Sequence, residues 1–201
     1  MAAFNDFKIA FMGQTRRGKS TLLNALFGTS FKIDTIVECT TNINSSTFVN
    51  KTVDIPFNAI TVMDTPGIGA SLESDEDYNP YYSHVLSTVN CVVWVTNMQR
   101  TDSLDQDFFY DFKKEIRSDL RLVICINGID KCSPYEMGED YSSWDEENNT
   151  PTEMLKALIE KRKELIKEKF SEYINIPYSI VATNALKGYG LNDLFEAIFK
   201  D

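Results

Sequence analysis

Eight consecutive residues, Gly13-Gln14-Thr15-Arg16-Arg17-Gly18-Lys19-Ser20, fit the phosphate-binding pattern G-x-x-x-x-G-K-S/T with no mismatch. The glycines let backbone N–H groups curl around a polyphosphate, and the helix that follows points its positive N-terminus at the same anion. Lys19 can reach β- and γ-phosphates, Ser20 can ligate Mg²⁺, and Thr21 joins the set as the next residue of the helix. Two more polar motifs each follow an apolar run. Asp64-Thr65-Pro66-Gly67 comes after Ile60-Thr61-Val62-Met63, and Asn127-Gly128-Ile129-Asp130 comes after Leu122-Val123-Ile124-Cys125-Ile126. Asp64 is expected to hold Mg²⁺ through water, and the Gly67 amide to sense a γ-phosphate. Asp130 can accept hydrogen bonds from both N1–H and the exocyclic amine of guanine, an arrangement adenine cannot offer. GTP and GDP are the ligands this set implies.

Such motifs converge only if each ends a strand of one open sheet, where α/β folds bind ligands. Apolar runs predict strands near 7–12, 46–50, 59–64, 91–97, 121–127 and 177–182, with helices near 19–27, 78–89, 103–118, 151–172 and 191–199. The expected fold is α/β, a mostly parallel six-stranded sheet flanked by helices, with the second strand antiparallel at the edge. No repeat or low-complexity linker divides the chain, so 1–201 reads as one domain. Gly28 is placed to end the first helix. For the long helix, Thr150 reads as N-cap, Pro151 as the first turn and Glu153 as the partner in a capping box. Met154, Leu155, Leu158, Ile159, Leu165, Ile166 and Phe170 form its expected apolar face.

With these motifs in this order across nearly all of its length, the chain resembles the translation-factor-like GTPases, in their Era/TrmE-like branch. Within it, the run from Trp94 to Phe112 and the long insertion after Asp130 look most like the prophage- and defence-associated Era-like GTPases. The resemblance implies a P-loop G domain. It departs from the family at two places. The family's Asn-Lys-x-Asp has Gly128 in the place of the lysine whose stem covers one face of the base. Its Ser-Ala-Lys loop corresponds to Val181-Ala182-Thr183-Asn184, where the Ala182 amide, with Thr183 beside it, is the expected contact. The switch I threonine is expected at Thr41, with Thr40 and the more distant Thr35 as competitors.

Catalysis turns on two positions. Ile68 follows Asp64-Thr65-Pro66-Gly67, where Ras-like proteins have the glutamine that orients water, so an isoleucine leaves that role unfilled. Era-like proteins commonly recruit potassium through an asparagine at the fourth P-loop position; this chain has Arg16 there, as do guanylate-binding proteins and atlastins. Arg16 is either an internal arginine finger, acting with Lys19 and Thr41 on the transition state, or a solvent-pointing cation that raises local potential.

Twenty basic against thirty acidic residues give a formal charge of −10, which argues against direct nucleic-acid binding. The densest cationic stretch, Lys161 to Lys169, is interleaved with glutamates and reads as an ion-paired helix face. There is no transmembrane-length apolar run and no signal-peptide pattern, so a cytoplasmic protein is expected. Cys39, Cys91, Cys125 and Cys132 show no metal-ligand spacing; Cys91 and Cys125 fall in strands expected to be buried. The acidic segments 71–82 and 133–149 read as a long switch II and an insertion beside the base site, each either mobile loop or partner surface. His84 reads as packed or solvated rather than catalytic.

The expected function is Mg²⁺-dependent GTP hydrolysis, slow in isolation, by a nucleotide-dependent switch with an unknown protein effector and a possible nucleotide-dependent homodimer. The alternatives are an interaction module with negligible hydrolysis and the G domain of a dynamin-like membrane-remodelling system.

Overall fold

The computed structural model describes residues 5–30, 44–49, 57–69, 72–99, 103–131 and 142–199. In chain order the elements are β1 (Asp6–Met12), α1 (Lys19–Phe27), β2 (Asn44–Val49), β3 (Ala59–Asp64), α2 (Leu72–Thr88), β4 (Cys91–Thr96), α3 (Ser103–Asp111), β5 (Arg121–Asn127), β6 (Trp144–Asp145), β7 (Thr150–Pro151), α4 (Glu153–Phe170), β8 (Tyr178–Thr183) and α5 (Leu191–Phe199). Six strands form one sheet in the order β2-β3-β1-β4-β5-β8. All neighbours run parallel except β2, which lies antiparallel against β3 at one edge.

Strand alternation splits the core between the two faces of the sheet. Phe7, Ile9 and Phe11 of β1 join Leu22 and Leu23 of α1 and Leu194 and Ile198 of α5 on one side. Ala10 and Met12 join Trp94, Tyr82 of α2, Phe108 and Phe109 of α3, and Phe170 of α4 on the other. Both faces are covered by helices, so the central strands β1, β4 and β5 are almost wholly buried. The carboxyl ends of β1, β3, β5 and β8 therefore lie along one rim, and all three motifs sit on it.

Several local expectations change. The cap of α4 is Thr152, whose Oγ1 accepts from the Leu155 amide, and not Thr150. Thr150 and Pro151 are drawn into the short antiparallel pair with Trp144 and Asp145, a hairpin that takes the place of the expected capping box. The buried line of α4 is Leu155, Ile159, Arg162, Ile166 and Phe170, spaced by three and four residues. Leu165 falls off this stripe and is exposed, whereas Arg162 is buried and its Nε donates to the Asn97 carbonyl. Ion pairs Lys156–Glu153 and Lys163–Glu160 lace the solvent face of α4, as its charge pattern implied. Helix α2 begins at Leu72, earlier than expected. Helix α3 stops at Asp111, and Phe112 packs into the core beyond it. His84 is exposed on α2.

Candidate functional site

The loop between β1 and α1 is held from three sides. Gly18 adopts φ 85°, and a Cβ there would come within 2.6 Å of the Asn127 Nδ2 atom, so only glycine admits the base motif this close. Arg17 spans outward, donating to Gln14 Oε1 at 2.7 Å and to Gln99 Oε1 at 3.0 Å. The third side is the segment after β3. Thr15 N–H donates to the Ile68 carbonyl at 2.9 Å, Ile68 N–H donates to the Gly13 carbonyl at 3.3 Å, and Gly67 lies against Thr15. Lys19 is buried, its ammonium donating to the carbonyls of Gly13 and Gln14 at 3.0 and 2.9 Å. Arg16 is exposed and holds φ 61°, a left-handed conformation uncommon for a non-glycine residue.

Ser20, in the first turn of α1, donates through Oγ to Asp64 Oδ2 at 2.5 Å across the gap to β3. Both groups are hard oxygen donors and both are buried, Asp64 fully. Thr65 fixes the turn that follows, its Oγ1 donating to the Phe11 carbonyl at 3.0 Å, and the Tyr82 hydroxyl of α2 reaches the Pro66 carbonyl. Ile68 is buried and belongs to the apolar core.

Asn127 joins the loops. Its Nδ2 donates to the Arg17 carbonyl at 3.3 Å, and its Oδ1 accepts from Thr183 Oγ1 and from the Ala185 amide, both at 3.2 Å. Thr183 is thus brought to the site as expected, but Ala182 is not. Ala182 lies inside β8 in register with Ile126, so its place is in the strand. The amide that meets Asn127 is that of Ala185, which lies past the strand end in Asn184-Ala185-Leu186. A local signal was present: Asn184-Ala185 sets an alanine after a small polar residue, as Ser-Ala-Lys does, and the bond across 58 residues to Asn127 agrees with it. Asp130 is half-buried at the end of the turn Gly128–Lys131, which is closed by the Lys131 amide donating to the Gly128 carbonyl at 3.0 Å. Gly128 holds φ 65°, and the Lys131 Cδ lies 3.7 Å from where a Cβ at Gly128 would sit.

Part of the insertion after the base motif is described, as a hairpin over 142–151. Within it the Asp145 carboxyl is held below its usual range, chiefly by the hydrogen bond from the Asn148 side chain. Thr35, Thr40 and Thr41, the switch I candidates, lie outside the described residues, as do Cys39, Cys132 and residues 132–141. Burial pushes the thiols of Cys91 and Cys125 up to about 12, which leaves both protonated and inert at neutral pH. Among the described residues no cluster of three or more His, Cys, Asp or Glu is built for a metal, and no helix is long and apolar enough to cross a membrane.

A phosphate loop between a central strand and its helix, an aspartate at the end of the neighbouring strand, and a base motif latched to the phosphate loop and to the turn after β8 define a P-loop GTPase domain. The chain belongs to the family described as 50S ribosome-binding GTPase, whose pattern matches residues 8–183. It is 28% identical to YkfA of Escherichia coli (strain K12) over 142 residues, which is 70% of this chain and 47% of that protein. It is 35% identical to neuronal-specific septin-3 of Danio rerio over 92 residues, 42% of this chain and 25% of that protein. The chain spans about half the length, or less, of these curated relatives. In fold it is similar to Aquifex aeolicus Era bound to GDP·AlF4⁻, with a TM-score of 0.65 and 23% identity over 96% of this chain and 56% of that one.

Proposed function

We propose that residues 1–201 act as one GTP-binding domain that binds GTP and GDP, hydrolyses GTP, and signals through the segments that contact the γ-phosphate. The observation that carries this reading is the Asn127 latch. One side chain ties the phosphate loop at Arg17 to the third loop at Thr183 and Ala185, and it stands three residues from Asp130. A phosphate cradle and a guanine-reading carboxylate are thereby held in one frame.

Nucleotide binding exchanges contacts already present. Lys19 leaves the carbonyls of Gly13 and Gln14 for phosphate oxygens, a stronger charge-assisted pairing. The amides of the loop from Gly13 through Gly18, with those of Lys19, Ser20 and Thr21 at the start of α1, face the phosphates. A γ-phosphate engaged by the Gly67 amide would sit beside the Thr15–Ile68 pairing, and nucleotide state is proposed to be read through this segment. Ser20 and Asp64 are the residues that would hold Mg²⁺, since hard oxygens suit that ion. When bound, Mg²⁺ offsets the charge of the β- and γ-phosphates. Thr41 completes this set in the proposal. Asp130 reads guanine, and Ala185 takes the place first given to Ala182.

Ile68 is packed in the core and cannot orient water. Transition-state charge is assigned in this proposal to Lys19 and Arg16; the exposure of Arg16 and its φ of 61° suit either an internal finger or a solvent-pointing cation. Single-turnover phosphate release with a Lys19→Ala control tests the activity. Phosphate released by the wild type and not by the variant is expected; none from either would leave a binding module without turnover.

A further inference from the structure

The hairpin formed by β6 and β7 touches both loops proposed to meet the base. Ser143 Oγ donates to the Asp130 carbonyl at 3.4 Å. Asn149 Nδ2 donates to the Lys187 carbonyl at 2.9 Å, and the Lys187 ammonium meets both carboxylate oxygens of Glu146 at 2.8 Å. Lys187 also stands over the Trp144 ring, 5.0 Å from its centroid. The turn that carries Ala185 is closed on itself by paired bonds between Asn184 and Tyr189, and the Tyr189 ring meets Trp144 edge-on at 5.5 Å.

The hairpin is itself fixed. Trp144 is buried in the core, and its indole N–H donates to Asn149 Oδ1 at 3.3 Å. Asn149 holds φ 51°, a conformation asparagine tolerates better than most residues. At the other end the Thr152 amide donates to the Ser143 carbonyl, which fuses the hairpin to the N-terminus of α4. A rigid bracket thus runs from α4 to the Asp130 turn on one side and to the 184–189 turn on the other.

We propose that this hairpin is a positioning element for guanine recognition: Ser143 and Asn149 set the Asp130 turn and the Ala185 turn at the separation the base requires. The inference rests on the reading of Asp130 and Ala185 given above. It also assigns a role to the insertion, whose acidic composition alone suggested a solvated loop. The residues act through Asp130 and Ala185 and do not themselves touch the nucleotide.

The test compares GDP with IDP by calorimetry on the wild type, Ser143→Ala and Asn149→Gly. Hypoxanthine lacks the exocyclic amine, so Asp130 keeps one of its two bonds; a charge-assisted bond of this kind corresponds to about tenfold or more in affinity. The wild type is expected to prefer GDP by that factor. Glycine at position 149 keeps the left-handed backbone, and Ser143→Ala removes one hydroxyl, so at least one variant retains the fold. A fall of the GDP/IDP ratio toward one in either variant, with IDP affinity less affected, supports the proposal. An unchanged ratio in both, even with weaker binding overall, overturns it and leaves the hairpin as packing. If the wild type shows no preference, the reading of Asp130 fails instead, and the two failures are distinguished by the wild-type ratio alone.

Discussion

Replacing Asn127 by alanine tests the latch at its weakest point. The side chain makes three hydrogen bonds, to the Arg17 carbonyl, from the Thr183 hydroxyl and from the Ala185 amide, at 3.2 to 3.3 Å. The residue is buried, so its former partners lose their bonds with little water to replace them. At roughly 1 kcal/mol net for each bond, the loss amounts to about 3 kcal/mol. For a domain of this size that corresponds to a drop of about 6–12 °C in Tm. Equilibrium urea unfolding of the nucleotide-free protein measures the change directly, and a parallel series with GDP measures what remains of the site. Wild-type protein at a GDP concentration about 100-fold above Kd should gain roughly 2.7 kcal/mol by mass action. The variant should gain far less, since its phosphate loop and third loop are no longer held together. A loss below about 1 kcal/mol, with the GDP stabilisation intact, would show that the loops hold their places without Asn127 and would refute the reasoning.

Four other outcomes are expected. Arg16→Ala should slow GTP hydrolysis by about 10³-fold or more with little effect on GTP affinity if the guanidinium acts as a finger; equal turnover, or stimulation of the wild type by potassium, would exclude it. Because φ at Arg16 is 61°, Arg16→Gly should be more stable than Arg16→Ala by about 1 kcal/mol in urea unfolding, and equal stability would remove the strain from the account. Gly128→Lys should lower stability by about 1–2 kcal/mol in urea unfolding, since φ 65° strains a side chain there; unchanged stability would contradict this. Cys91 and Cys125, with thiols raised to about 12, should resist iodoacetamide in the folded protein and react only on unfolding, as read by peptide mass spectrometry.

The phosphate loop, the sheet and its antiparallel edge were legible because their signals are local: a fixed motif, apolar runs of strand length, and a glycine that ends α1. Positions fixed by contacts distant in sequence were not. Ala185 is assigned by a bond to Asn127, and Arg162 is buried because the Asn97 carbonyl accepts from it, whereas Thr150 is captured within its own hairpin by pairing with Asp145. Gly128 was legible as a departure from the family pattern, yet its positive φ is visible only in three dimensions. The bracket formed by the insertion was hidden for the same reason, since acidic and amide residues in a loop carry no sign of what they hold.

Guanine recognition by Asp130 is measured by calorimetry of GDP, ADP and xanthosine diphosphate against the wild type and Asp130→Asn. The wild type should bind GDP and not ADP, and the variant should turn to xanthosine diphosphate, whose 2-oxo group accepts from the new amide. Equal affinity of the wild type for ADP and GDP, or a variant that still prefers GDP, would contradict it.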